Sequence, residues 1–350
     1  MGADAGEGEG VAMIRKRNNM TSESKNHRMG KKGLFYLMVS SLFVMVMIVV
    51  FLAYRQYSFT DRQKVLETRI MTINDFLKDI EFDSKRVIYI AGFRSLIALE
   101  DHVARSGSYL NNTAELFRLA FYNGTVNGTS AEVLANSTYF DYLQKLRLIA
   151  EKIGVDVDIN VTNISLYHDS PWSVNVIVTT RVNITDKKGV AHWEFDKNYF
   201  TSVSLINIRD PVYSVSTYGR VPSAIRSTNI SDFVIGNSTT HLLAHINNSF
   251  YINSSLAPSF LMRMEGNFSS SPFGIESIVN IDELQVQGFI IGLDFSGSRS
   301  VADYIFFSNI TGYSLQACSV QNMPGWFRMD KNHTSTYDIE GLAYVNCTGE

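Results

Sequence analysis

The chain has 350 residues and a formal net charge of −3, from 31 Lys and Arg against 34 Asp and Glu. Residues 1–33 hold seven of those cations and four of the acids, which leaves −6 for the rest and no basic face on which nucleic acid would bind. Two cysteines in such a length exclude a disulfide-dense secreted scaffold.

Residues 1–33 read as a basic cytoplasmic segment or leader. It opens on MGADAGEGEGVA, which is too polar and Gly-rich to fold. Leu34 to Tyr54, LFYLMVSSLFVMVMIVVFLAY, then runs without a charge, Gly or Pro. About 20 apolar residues cross the hydrocarbon of a bilayer, so this stretch predicts a single transmembrane helix. Arg15, Lys16, Arg17, Lys25, Arg28, Lys31 and Lys32 crowd its N-terminal side, against Arg55, Arg62, Lys64 and Arg69 beyond it. This asymmetry places the N-terminus in the cytoplasm and the C-terminal part outside. The competing reading is a cleaved secretory signal, but the run is longer than such signals use and no small-x-small site follows.

Residues 55–154 are expected to form a helical stalk and helices. Thr60 to Arg105 lacks proline, and Leu66, Ile70, Ile73, Leu77, Ile80, Ser84, Val87 and Ala91 fall on one stripe, a packing seam whose mate is either this chain or a partner. Further helices are predicted at Thr113–Tyr122, stopped by Asn123-Gly124, and from Ala131 to Ile153, stopped by Gly154. Alternation then predicts an antiparallel meander within residues 155–228: Val155–Val161, Ser173–Ile184, and a strand holding His192, Trp193, Phe195 and Tyr199 after the turn Asp186-Lys187-Lys188-Gly189. SLINIRDPVYSV from Ser204 reads as a strand broken at Asp210-Pro211, and Thr240–Phe250 as helix or strand. Residues 229–350 read as a second, β-rich lobe with short apolar segments at Ser277–Leu284, VQGFIIGLDF and ADYIFFSNI. The fold class is therefore α+β: a transmembrane helix continuing into an amphipathic one, then a mainly antiparallel ectodomain. Cys318 and Cys347 are expected to close it with a disulfide worth about 3 kcal/mol through the unfolded chain.

Sequons give the strongest independent signal. Asn-x-Ser/Thr begins at Asn111, Asn123, Asn127, Asn136, Asn160, Asn163, Asn183, Asn229, Asn237, Asn247, Asn253, Asn267, Asn309, Asn332 and Asn346. That is fifteen sites, where roughly four would arise by chance, so the part beyond the membrane is expected to carry N-linked glycans. Asn19 opens another on the cytoplasmic side and should stay bare.

Chemistry is sparse. His241 and His245 have the i,i+4 spacing of zinc ligands, but Leu242 and Leu243 stand between them without the Glu of H-E-x-x-H. Asp156-Val157-Asp158 matches the D-x-D by which glycosyltransferases hold a metal-bound sugar nucleotide, yet both acids sit at the polar positions of an alternating strand with no βαβ series around them. No G-x-S-x-G, P-loop or dinucleotide fingerprint occurs. His168, His192 and His333 are scattered, and Trp172, Trp193 and Trp326 read as core. No catalytic residue, metal or cofactor is assigned.

Lys31-Lys32-Gly33 before Leu34 resembles the class III signal peptide of archaeal type IV pilins, which a membrane peptidase cuts after the glycine. Translation from Met29 would give the short leader MGKKG; position five after the cut is Met38, where bacterial pilins commonly carry glutamate. Further along, NDFLKDIEFDSKRVIYIAGFRSLIALE from Asn74, INIRDPVYS from Ile206, APSFLMRMEGN from Ala257, GIESIVN from Gly274 and WFRMD from Trp326 are similar to archaeal single-pass, membrane-anchored surface glycoproteins without an assigned activity. These resemblances imply a plasma-membrane protein with an extracellular domain. Its expected partners are the bilayer, N-linked glycans, and either its own copies through the N-terminal helix or other envelope proteins. The leading expectation is a non-enzymatic structural or pilin-like envelope component. An anchored adhesin or receptor is the second, and a glycosyltransferase-type enzyme using Asp156 and Asp158 the third.

Overall fold

The computed structural model describes residues 31–288, 299–308, 317–342 and 345–347. The chain divides into two units, Met1–Glu67 and Thr68–Glu350. Helix α1, Lys31–Ser106, begins in the first and ends in the second. The basic segment before Lys31 lies outside the described residues, as do most of VQGFIIGLDF and the end of ADYIFFSNI.

In the first unit, every described side chain from Lys32 to Tyr57 is exposed. The stretch is long and apolar enough to cross a membrane. Its apolar residues lie all round the helix rather than on the single stripe of an ordinary surface helix.

In the second unit α1 buries Ile73, Phe76, Ile80, Ser84, Ile88, Ala91, Ser95 and Leu99, so from Ile73 onward the predicted seam packs within the chain. Leu66 and Ile70, expected on the same stripe, are exposed. Helix α2, Thr113–Asn123, is capped by the Asn112 side chain and ends at Gly124 in the left-handed region. Asn127-Gly128, both at positive φ, turns the hairpin of β1, Thr125–Val126, and β2, Thr129–Ser130. The predicted helix from Ala131 is a 3₁₀ turn at Glu132–Leu134 followed by α3, Tyr139–Lys152. A capping box of Thr138 and Asp141 sets the true start after Asn136, which has φ 57°.

Strands β3, Val155–Ser170, β4, Ser173–Asp186, and β5, His192–Ser204, form the expected meander in the order β3-β4-β5. β3 is nine residues longer than its first alternating run because a bulge between Val161 and Asn163 resets which residues face inward. Val157, Ile159, Val176, Val178, Val182, Ile184 and Val203 bury the inner face together with α1, α2 and α3. Gly92 lets α1 approach that face: a Cβ there would lie 3.3 Å from methyls of both Val176 and Val203. At the sheet's end Arg69 holds Asp186 Oδ1 at 2.7 Å and the Gly154 carbonyl at 2.9 Å.

Beyond Ser204 the expected broken strand is a turn and then α4, Pro211–Ser216. Asp210 accepts a hydrogen bond from the Val212 N–H as N-cap, and Pro211 takes the first helical position. The rest is built of short pieces: α5 at Thr240–Asn247, β6 at Tyr251–Asn253, α6 at Phe260–Met264, β7 at Ile275–Ser277, α7 at Ile281–Val286, α8 at Asp303–Phe307, β8 at Ala317–Val320, β9 at Met329–Asp330 and β10 at Val345–Cys347. A second core, with Leu242, Ile246, Val279, Phe327, Met329 and Tyr337, fills the space among them. In the antiparallel β8–β10 ladder Cys318 and Cys347 are directly opposed. The Cys347 side chain lies outside the described residues.

Candidate functional site

Polar groups gather at two places in the second unit. The larger gathering is sealed. Arg263 on α6 has no solvent exposure, and its guanidinium bridges Asp210 and Asp303, equally buried. Nη2 donates to Oδ2 of Asp210 and, at 2.6 Å, to Oδ2 of Asp303, while Nη1 donates to the Ile275 carbonyl at 3.0 Å. Tyr251 donates to Asp210 at 2.8 Å, and Ser277 Oγ to Asp303 at 2.8 Å. Burial pushes the Asp303 carboxyl up to about 6, with the Arg263 charge opposing the rise.

Beside this triad His333 is clamped between two acids. Its Nδ1 lies 2.8 Å from Asp330 Oδ1, and its Nε2 lies 3.2 Å from Glu276 Oε2 and 3.0 Å from the Tyr304 hydroxyl. Burial disfavours the imidazolium, but the hydrogen bonds and charges of Asp330 and Glu276 outweigh it and hold His333 up at about 10. A folded value above the unfolded value of about 6.5 stabilises the fold fully below that pH and fades as pH rises toward 10. The melting temperature is therefore expected to fall between pH 7 and 10, and less steeply in His333→Gln; equal slopes in the two proteins would remove His333 from this role.

The sealed cluster ties segments from Asp210 to His333 and touches no solvent, so it acts on the fold rather than on a ligand. Asp210, Arg263, Glu276 with Ser277, and Asp330 lie within the quoted stretches INIRDPVYS, APSFLMRMEGN, GIESIVN and WFRMD, while Tyr251, Asp303, Tyr304 and His333 lie outside them. Sequence reasoning missed the connection because a charge reads as surface until its partner is known.

The second gathering is an open cleft of about 670 Å³ lined by Glu100, Asp101, Arg105, Glu132 and Arg209 among others. Glu100 is buried at its wall, accepts from Ser214 Oγ at 3.0 Å, and has its carboxyl raised chiefly by burial. Asp101 pairs with Arg105 at 2.7 Å. The lining holds no histidine or cysteine that would activate a nucleophile or ligate a soft metal.

The residues singled out from sequence lie elsewhere. Asp156 and Asp158 are exposed on the outer sheet face, and Asp158 pairs with Arg147 at 3.0 Å. His241 is exposed with Nδ1 2.8 Å from the Asp232 carbonyl, whereas His245 is buried against Phe233, Phe250 and Tyr337. The two imidazoles of the H-x-x-x-H thus have separate surroundings, and burial lowers His245 to about 4. Among the described residues no three His, Cys, Asp or Glu side chains group as metal ligands. Gly33 and Leu34 lie in the first turn of α1.

The sequons have a common placement. Asn111, Asn123, Asn127, Asn136, Asn160, Asn163, Asn229, Asn237, Asn247, Asn253, Asn267 and Asn332 are exposed, and Asn183 is half-buried. Asn160, Asn163 and Asn183 share the outer face of the meander. Among the described residues the one buried asparagine is Asn175, which opens no sequon. Asn309 and the Asn346 side chain lie outside the described residues.

No family model, curated protein or solved structure matches this chain. The reading of function therefore stands on the residues themselves.

Proposed function

We propose that this chain is a non-enzymatic, N-glycosylated surface protein held in the plasma membrane by Leu34–Tyr54, with its N-terminus in the cytoplasm and Thr68–Glu350 outside. The observation that carries the proposal is the placement of the sequons: of the thirteen that begin in described side chains, twelve open on an exposed asparagine and one on a half-buried one. Glycosylation needs an accessible asparagine on the far side of a membrane, and the uncovered apolar stretch supplies the membrane. Lys31-Lys32-Gly33 before it supports an archaeal, pilin-like envelope component with Gly33–Leu34 as the cleaved bond. The opposed register of Cys318 and Cys347 supports a cross-strand disulfide in an oxidising compartment. The open cleft beside Glu100 favours an anchored binding module as the second reading.

The test is fractionation and peptide mass mapping of the expressed full chain. The chain is expected to stay in the membrane pellet through an alkaline carbonate wash, to be released by detergent, and to show hexose-bearing peptides at several exposed sequons. A mature N-terminus at Leu34 would select the pilin-like form, and an intact leader the permanent anchor. Recovery in the soluble fraction without sugar would sink the proposal.

A further inference from the structure

The cleft beside Glu100 has a charge pattern that selects its ligand. Glu100 is 4 % exposed, and only one of its oxygens is engaged: Oε1 accepts from Ser214 Oγ, while Oε2 has no hydrogen-bond partner among the described residues. A carboxylate so nearly removed from water, with one neutral donor, is costly to leave on a cleft wall until a cation meets it. Its position is fixed. Ser214 lies on α4 with its N–H on the Asp210 carbonyl, and Asp210 is held by Arg263. Arg209, the residue before Asp210, shares the lining and is pinned by its backbone bridge to Ala224. Its exposed side chain has no partner among the described residues, yet lies close enough for its charge to draw the Glu100 carboxyl down against the effect of burial. Asp101 and Arg105 neutralise each other, so the charges left for a ligand are Glu100, Arg209 and Glu132, which is exposed and unpaired among the described residues. Ile97, Val133 and Ile208 add apolar lining.

Two uncompensated acids and one uncompensated base complement a molecule that carries two cationic groups and one carboxylate. We infer that the cleft binds a free α-amino acid with a basic side chain, its α-ammonium on Glu100, its α-carboxylate on Arg209, its aliphatic stem against the apolar lining and its side-chain cation at Glu132. The inference rests on the second reading above, that of an anchored binding module. The two α-groups fall to Glu100 and Arg209 because they share one carbon, and these side chains are the opposite charges that act on each other without a hydrogen bond between them. Glu132, at the start of the 3₁₀ turn, is left for the far end of the ligand. The volume of about 670 Å³ is within the range of roughly 300–1,000 Å³ usual for small-molecule sites, in which a few convergent polar groups fix the orientation of an apolar body. No lining residue is a sequon asparagine, so no glycan is attached inside the cleft.

Isothermal titration of the detergent-solubilised full chain with L-lysine, Nα-acetyl-L-lysine, cadaverine and L-norleucine tests each contact by removing one group of the ligand at a time. L-Lysine is expected to bind. Nα-acetyl-L-lysine, which lacks the α-ammonium, should bind about thirtyfold more weakly, because it strands the buried Glu100. Cadaverine, which lacks the carboxylate, should lose about tenfold, the worth of a charge-assisted contact. Norleucine, which lacks only the side-chain cation, should lose about fivefold, since Glu132 is exposed. Glu100→Gln is expected to erase the discrimination between lysine and its acetylated form, and Arg209→Gln that between lysine and cadaverine. Arg209 is exposed, so the unliganded Arg209→Gln chain should melt with the parent, and it decides the matter even where Glu100→Gln fails to fold. Cadaverine binding as tightly as lysine, or discrimination that survives Arg209→Gln, overturns the inference but leaves the cleft a binding site and the binding-module reading intact. No heat from any of the four overturns the inference and takes the cleft away from that reading too.

Discussion

Arg263→Met is expected to destabilise the fold by about 3–5 kcal/mol, the range seen when one partner of a buried ion pair is removed. Methionine fills much of the space, so little of the loss comes from a cavity. What it leaves is Asp210 and Asp303, both without exposure, facing each other with no cation. Asp210 keeps the Tyr251 hydroxyl and the Val212 N–H, and Asp303 keeps Ser277, but neither set neutralises a charge. The loss should therefore shrink when the acids are neutralised as well. Arg263→Met with Asp210→Asn and Asp303→Asn should be more stable than the single variant, although it carries more changes. Urea unfolding followed by circular dichroism measures the parent, Arg263→Met, the Asp210→Asn/Asp303→Asn pair and the triple variant. A loss below about 1 kcal/mol for the single variant, or strict additivity in the series, would mean that the cluster does not hold the second core together.

Gly274→Ala is the second large effect, expected at roughly 3 kcal/mol or more. A Cβ at this position would stand 2.1 Å from the Ala257 carbonyl oxygen and 2.3 Å from that of Ser254. Both are backbone atoms, and the Gly274 carbonyl itself accepts from the Ser254 N–H at 3.0 Å, so neither side can yield without breaking the contact. Gly92→Ala is the matched comparison. Its Cβ meets side chains alone, two valine methyls at 3.3 Å and the Phe117 ring at 3.9 Å, which can shift, and about 1 kcal/mol is expected. Thermal melts of the two variants should differ several-fold in ΔTm; equal shifts would show that the 257–274 contact is soft.

Periodicity made the first half of the fold legible. α1, α2 and the meander are long enough for alternation or a helical stripe to repeat, and the inner valines of β3 and β4 repeat it cleanly. The second half was harder to read because its elements run two to eight residues, too short to establish a period. There the conformation is set by partners far along the chain, as Arg263 is by Asp210 and Asp303. One miss was avoidable: Asp210-Pro211 is an N-cap followed by a first-turn proline, but the alternation in SLINIRD drew it into a strand. The sequons could be counted directly, whereas their exposure needed the fold. The opposite outcome met His241 and His245, whose spacing was plain and whose different surroundings were not.

The cluster around Arg263 also imposes an order of events on synthesis. Its first acid, Asp210, leaves the ribosome 123 residues ahead of His333, and at about 5–20 residues per second that is a wait of roughly 6–25 s. Residues 73–204 can meanwhile bring α1 onto the meander, leaving that core to be completed by Ile225, Tyr251, Phe260, Met264 and Ile275 as they arrive. The second core must stay open until the last of its charges arrives. Asn229, Asn237, Asn247, Asn253 and Asn267 emerge within that interval, so a glycosylating enzyme would meet them on extended chain, before any of their neighbours has closed.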